Sequence, residues 1–343
     1  VPVREHLQER YTRIRPWAAV VFFFGGFAWD AITLGRSIKP SDLFILGAYL
    51  AGAAAILVVI GRGMEFRGSQ YLNAVLQFFF GGIFSALLIL YFLSSSGLGG
   101  WLVVLALGAV LVGNEFLESA YSELTLSWAF FTLSAIMFFN FALAHLFRSI
   151  STFWFYIGTL VALLLVVALR RVARGERSTV WPSVGVAAVM LVLHAVNAIP
   201  PVPLVKKQML IAHDVHRTAG GYVARVESSG AKFWQSSAPV FHRQDGERVY
   251  CFTSVFIPNG ITTTIRHRWE YYDATRGWRN AGVVPIPITG GRQGGYRGYS
   301  YKQRVTPGEW RVIAESASGA TIGVAKFRVV NGAGGRLRCT GSA

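Results

Sequence analysis

Three groups of side chains in this sequence have types and spacings suited to chemistry. The first is basic: Arg266, Arg268, Arg297, Lys302, Arg304 and Arg311 recur on short runs that alternate charge with apolar or aromatic residues. A guanidinium offers parallel N–H donors, so a surface holding several suits phosphate or carboxylate. The second is a polar set inside apolar runs: Asp30, Asn140, His145, His194 and Asn197. Such groups are costly in hydrocarbon and usually face a bundle interior or a water-filled cavity, so they either line an outward-facing vestibule or, lying a turn or two from the interface, simply reach water there. The third is His213-Asp-Val-His216, with His242 further on, a spacing that zinc accepts. A polar juncture explains these histidines equally well, and no metal or cofactor is expected.

Catalytic signatures are missing from the sequence. It contains no H-E-x-x-H, Gly-x-Ser-x-Gly or phosphate-loop pattern. The glycine-rich stretch Gly290–Gly298 is not followed by a helical pattern and reads as a hairpin loop. No nucleophile or acid/base pair can be named, so the chain is expected not to be an enzyme.

The elements that must position these groups fall into two regions. Over 343 residues the chain is 53% hydrophobic with a mean hydropathy of +0.43, which excludes an ordinary soluble domain. Seven apolar runs approach the roughly 17–25 residues needed to cross a bilayer. They are Pro16–Leu34, Leu43–Ile60, Tyr71–Leu93, Leu98–Gly113, Thr125–Phe147, Phe153–Leu169 and Trp181–Ile199. The first follows a basic start but lacks a small-residue cleavage site, so it reads as a helix. With the N-terminus inside, inner segments carry ten Lys and Arg and the connecting outer loops three, which predicts a cytoplasmic N-terminus and an exported tail. Small residues four apart, such as Ala48 with Gly52 and Gly81 with Ser85, predict close helix contact. Asn73, Gln77 and the acidic connection Asn114–Glu123 gather at the inner side, where the carboxylates either line a cation mouth or pair with Arg62, Arg67 and the Arg170–Arg177 cluster.

Beyond Ile199-Pro-Pro-Val-Pro203 the pattern changes to β-rich runs separated by turn residues. Residues 206–343 hold 20 Lys and Arg against 8 Asp and Glu, a balance that calls for acidic partners. In Ile265-Arg-His-Arg-Trp-Glu-Tyr-Tyr-Asp273 a strand places Ile265, His267, Trp269 and Tyr271 on one face and Arg266, Arg268 and Glu270 on the other. Cys251 and Cys339, the two cysteines, both fall in this tail and are expected to pair in an oxidising compartment.

The His267-Arg-Trp269 strand, Tyr296-Arg-Gly-Tyr-Ser300, Pro307-Gly-Glu-Trp-Arg-Val312 and Phe327-Arg-Val329 together resemble the bacterial module designated domain of unknown function 2914, over roughly residues 250–330. The whole chain is similar to seven-helix proteins of Gram-negative bacteria that end in this module. The resemblance implies no reaction, ligand or partner.

The expected fold is thus an α-helical membrane bundle of about seven transmembrane helices plus a C-terminal all-β immunoglobulin-like sandwich. Its parts are a cytoplasmic segment at 1–15, a helical domain at 16–199, a Pro-rich linker at 200–207 and a periplasmic domain at 208–343. The expected function is a non-enzymatic inner-membrane protein whose basic periplasmic domain binds an anionic lipid, lipopolysaccharide, an acidic glycan or a membrane or periplasmic protein. Export argues against nucleic acid as a partner. The alternative is a transporter or an ion- or proton-conducting protein with a periplasmic accessory domain.

Overall fold

The computed structural model describes residues 40–64, 67–95, 97–114, 124–173, 179–199, 204–218, 221–227, 240–257, 261–289, 295–332 and 337–342. It divides into two compact units. One draws on the described parts of Val1–Leu90, Val104–Phe139 and Gly158–Met190, and the other on those of Tyr91–Val103, Asn140–Ile157 and Leu191–Ala343.

Six α-helices lie among the described residues: α1 (Pro40–Gly61), α2 (Leu72–Ser94), α3 (Gly97–Asn114), α4 (Thr125–Leu146), α5 (Thr152–Val172) and α6 (Trp181–Ala195). The windows Ser41–Gly61, Leu72–Ser94, Thr125–Leu146 and Thr152–Val172 are long and apolar enough to cross a membrane. This corrects the seven-span expectation: α3 and α6 fall short, and Pro16–Leu34 lies outside the described residues. The reason for α6 is a local stop signal. Asn197 adopts a left-handed φ of 55°, its amide donates to the His194 carbonyl (3.0 Å), and the Ala198 amide donates to that of Leu193 (2.8 Å). This is a Schellman cap, and it ends the helix after 15 residues, about 22 Å at 1.5 Å per residue. Gly63 and Arg148 close α1 and α4 the same way, with φ of 62° and 51°.

The small residues serve as sockets for rings. A Cβ on Gly52 would lie 2.6 Å from the Phe79 ring, and one on Gly82 would lie 2.4 Å from that of Tyr49. Helix contact is therefore set by aromatic knobs seated on glycine. Polar groups at the ends of α2 and α3 satisfy each other: Gln77 Nε2 donates to the Asn114 carbonyl (3.0 Å), and Asn114 Nδ2 to that of Gln77 (3.2 Å). The acidic residues Glu115, Glu118 and Glu123 lie outside the described residues.

The strands are β1 (Val205–Ala212), β2 (Asp214–Thr218), β3 (Gly221–Glu227), β4 (Val240–Arg243), β5 (Val249–Phe256), β6 (Thr262–Asp273), β7 (Gly277–Thr289), β8 (Tyr296–Lys302), β9 (Gly308–Glu315), β10 (Thr321–Asn331) and β11 (Leu337–Ser342). They form three open sheets of order β1-β5-β8, β4-β10-β9-β6-β7 and β11-β3-β2. Pairing is antiparallel except between β4 and β10. The fold is accordingly mixed α/β with open sheets, which corrects the expected immunoglobulin-like sandwich.

The physical reason lies in β5. Its Val249, Cys251 and Val255 enter cores shared with the five-stranded sheet, while Phe252 on its other face joins Ala212, Val215 and Ala224 toward the β11-β3-β2 sheet. A two-layer sandwich would leave one face of β5 in water. Here nearly every residue of Val-Tyr-Cys-Phe-Thr-Ser-Val-Phe is buried. A continuous apolar run of this kind marks a strand covered on both sides.

The expected disulfide is also corrected. Both cysteines are free: Cys251 is buried in the middle sheet, and Cys339 is exposed on β11, opposite Arg225. They belong to different sheets, and Cys251 points away from β11 into the core that holds Trp269 and Phe327.

Candidate functional site

Alternation on β6 runs as the sequence predicts, because β6 is an interior strand with one face on the core. Ile265, His267 and Trp269 are buried, whereas Arg266 and Arg268 are half-buried on the opposite face. Two of the matching motifs meet at one hydroxyl. His267 Nδ1 and Trp269 Nε1 each lie 2.9 Å from Ser300 Oγ, which β8 supplies from the facing sheet. Gly298, two residues earlier, lets the sheets approach: a Cβ there would lie 2.9 Å from Ile286 Cγ2. Trp310, Val312, Phe327 and Val329 complete the same core. Burial pushes the His267 pKa down to about 4, and its Nε2 has no partner among the described residues.

The predicted basic residues separate into distinct settings. Arg268 donates through Nε to Glu315 (3.1 Å) and through a second nitrogen to Glu270. Arg311 Nε donates to the other oxygen of Glu270 (2.6 Å), and its guanidinium lies 4.2 Å from the Trp278 ring centroid. Two arginines and two carboxylates thus form a neutral ladder across β6 and β9, with the Glu270 side chain 5% exposed. Arg266 donates to the Ala317 carbonyl. On β8, Lys302 donates to the Ala281 carbonyl (2.6 Å), Arg297 shares the face of Tyr299 and Tyr301, and Arg304 is exposed beyond the strand end. Sequence reasoning missed Glu270 and Glu315 as partners, since their proximity to Arg268 and Arg311 depends on β6–β9 register.

Of the polar helix residues, Asn140, His194 and Asn197 come together around a cavity of about 40 Å³, joined by Ser151, Ser316 and Ser318. That volume holds a few water molecules. Asn140 Nδ2 donates to the Tyr91 hydroxyl (3.1 Å), and the His194 ring stacks on Phe155 with centroids 4.0 Å apart. His145 does not line the cavity, and Asp30 lies outside the described residues.

The histidines form a hydrogen-bonded cluster. His213, at the corner where the chain passes from β1 to β2, contacts Glu247 through Nδ1 (2.6 Å) and Glu227 through Nε2 (3.1 Å). His242 Nδ1 meets the second oxygen of Glu227 (3.0 Å), and His216 turns away to Asp214. Among the described residues no group of three or more His, Cys, Asp and Glu is arranged to hold a metal. Each ring-nitrogen contact here is directed at a carboxylate, and the His213 ring also stacks on Phe241, which ties the β1–β2 corner to β3, β4 and the β4–β5 turn.

An aromatic row on the outer face of β5 and β8 has no counterpart in the predicted sites. Tyr222, Tyr299, Tyr250 and Tyr301 follow one another with ring centroids 6.1, 5.9 and 5.5 Å apart. Arg248 lies 4.8 Å from the Tyr301 centroid. The rows are legible only once β5 is paired with β8, which sets Tyr250 opposite Tyr301 and Phe252 opposite Tyr299.

These features define a protein with membrane-spanning helices and a separate β-rich domain. Residues 262–329 match the family model described as protein of unknown function (DUF2914). The match covers β6 to β10, so the expected likeness to seven-helix proteins is corrected to this region alone: six helices, four of membrane-spanning length, lie among the described residues. No curated protein matches the chain. Among solved structures it is similar to the alkylpurine DNA glycosylase AlkC of Pseudomonas fluorescens bound to DNA containing an abasic site analog, at 11% identity over 91% of this chain and 99% of that one. The TM-score is 0.23, and that likeness carries no argument.

Proposed function

We propose that the chain is a membrane-anchored binding protein, not an enzyme, whose β domain faces the periplasm from a bacterial inner membrane and takes up an anionic component of the envelope. The observation that carries this reading is the basic surplus outside the neutral ladder. Arg217, Arg248, Arg276, Arg304, Lys326 and Arg338 are exposed, and none is paired with a carboxylate among the described residues. Orientation is supported by the helix ends: Arg62 at the end of α1 donates to the Val172 carbonyl at the end of α5 (2.9 Å), where Arg170 and Arg171 also lie. One basic flank suits the cytoplasmic side, and α6 then leads outward. The alternative of a transporter or an ion- or proton-conducting protein has the small polar cavity at Asn140, His194 and Asn197 in its support.

The full-length protein in phosphatidylcholine nanodiscs should capture vesicles containing phosphatidylglycerol but not vesicles of phosphatidylcholine alone, and less so as salt rises. A membrane-impermeant thiol reagent should reach Cys339 in intact spheroplasts. Equal capture of both vesicle types removes the anionic-lipid reading, and labelling only after the membrane is opened reverses the orientation.

A further inference from the structure

Sheet pairing places four tyrosines in one row, with Tyr299 and Tyr301 exposed, Tyr222 and Tyr250 half-buried against the core at Phe252, and an arginine at each end. Tyr299 and Tyr301 are 39% and 49% exposed, although each is a large aromatic on a strand whose opposite face is core. The β11-β3-β2 sheet covers Phe252, and its Tyr222 reaches the near side of Tyr299. At one end Arg248 stands over Tyr301, and at the other Arg217 is the cross-strand neighbour of Tyr222. Neither arginine is paired with a carboxylate among the described residues, in contrast to Arg268 and Arg311. The row thus offers π faces, phenol hydroxyls and a guanidinium at each end.

We infer that this row is a binding site for an acidic polysaccharide. A sugar ring presents an apolar C–H face and a rim of hydroxyls, and tyrosine matches both with its ring and its O–H tip. A carboxylate on the chain would take the guanidinium fork of Arg248 or Arg217. Charge density selects among polymers that stack on aromatics. A polynucleotide brings a phosphate with every base, and its grooves track that backbone with cations. Arg297 shares this face but is engaged within the protein, and the two arginines left beside the tyrosines fit a polymer in which anionic groups are sparse and hydroxyls abundant. The inference rests on the β domain being an anion-binding surface, and it names the ligand class for one part of it.

The test uses full-length protein in neutral nanodiscs, with alginate oligosaccharides as probe and dextran oligosaccharides and oligo-dT as comparators. Alginate should bind more tightly than either. Tyr299→Ala/Tyr301→Ala should weaken it about tenfold or more, on the scale of one or two lost ring contacts. Arg248→Gln should bring alginate down toward the dextran level. Arg248→Gln should keep the wild-type unfolding midpoint, and the tyrosine variant, which loses ring contacts to Tyr222 and Tyr250, should lower it only modestly and still unfold in one cooperative transition. Alginate bound no better than dextran, binding unchanged in the tyrosine variant, or tighter binding of oligo-dT would each overturn the inference. Capture of anionic vesicles without alginate binding would sink the row and leave the broader reading standing; alginate binding without vesicle capture would leave the row standing and remove only the anionic-lipid form of the broader reading.

Discussion

The two faces of β6 and β8 behave as different regions of the molecule. On the inner side His267, Trp269 and Ser300 close a buried contact between sheets, and Trp310 and Phe327 pack around it. On the outer side the same strands carry Arg268 in an ion ladder and Tyr299 and Tyr301 in water. The residues that carry the DUF2914 likeness sit largely on the inner side. They specify how two sheets lock together, and the surface available to a ligand is drawn from positions between them. The His-x-Trp strand is therefore a statement about core packing, and a count of arginines does not locate an anion site until their carboxylate neighbours are known.

The largest test of that contrast is Trp269→Ala. Removing a fully buried ring and its bond to Ser300 should cost about 4 kcal/mol, within the range for aromatic core truncations. Chemical denaturation of the purified protein should show this loss, while Tyr299→Ala on the outer face, which gives up ring contacts to Tyr222 and Tyr250, costs only about 1 kcal/mol. A similar cost at both positions would erase the distinction between faces.

Next comes the effect of pH on His267. Its folded pKa lies near 4, below the ordinary 6.5, because burial disfavours the imidazolium. Between those values the unfolded chain holds a proton that the folded chain does not, so stability rises with pH. The contribution is complete above about pH 6.5 and is lost as pH falls toward 4, about 3 kcal/mol in all. His267→Phe, which keeps an aromatic ring in the core, should flatten the profile in this window. An equally steep profile in the variant would place the titrating group elsewhere.

The smallest expected effect concerns the ladder. Glu270→Gln leaves Arg268 and Arg311 without their shared carboxylate, at a cost of about 2 kcal/mol, below the range for fully buried pairs because both arginines remain partly solvated. Adding Arg311→Gln should recover part of that loss. If the double variant is less stable by the full sum of the two single changes, Glu270 and Arg311 are not coupled.

Much was legible in the sequence because it follows from local periodicity. Apolar runs of spanning length mark α1, α2, α4 and α5, and period-two alternation gives β6 its correct face and Gly221–Glu227 its bounds. What the sequence did not reveal depends on what covers each element. Periodicity does not pick out β1, whose first three residues fall in the expected linker at 200–207, since Val-Lys-Lys-Gln-Met-Leu-Ile-Ala has no clean alternation and is a strand because β5 pairs with it. Asn197 read as a polar group in a span, whereas its backbone conformation makes it the residue that ends α6.

The sequence by itself determined which segments are apolar enough for a membrane, which residues of each strand seek a core, and the net positive charge of the tail, because these are properties of a residue and its near neighbours. Tertiary structure alone decided that β5 is buried on both faces, that Cys251 and Cys339 stand apart, that Glu270 neutralises two arginines, and that four tyrosines from β3, β5 and β8 form a row. Each of these depends on register and layer order among strands distant in the chain, and side chains that meet only through such pairing leave no periodic trace in the sequence.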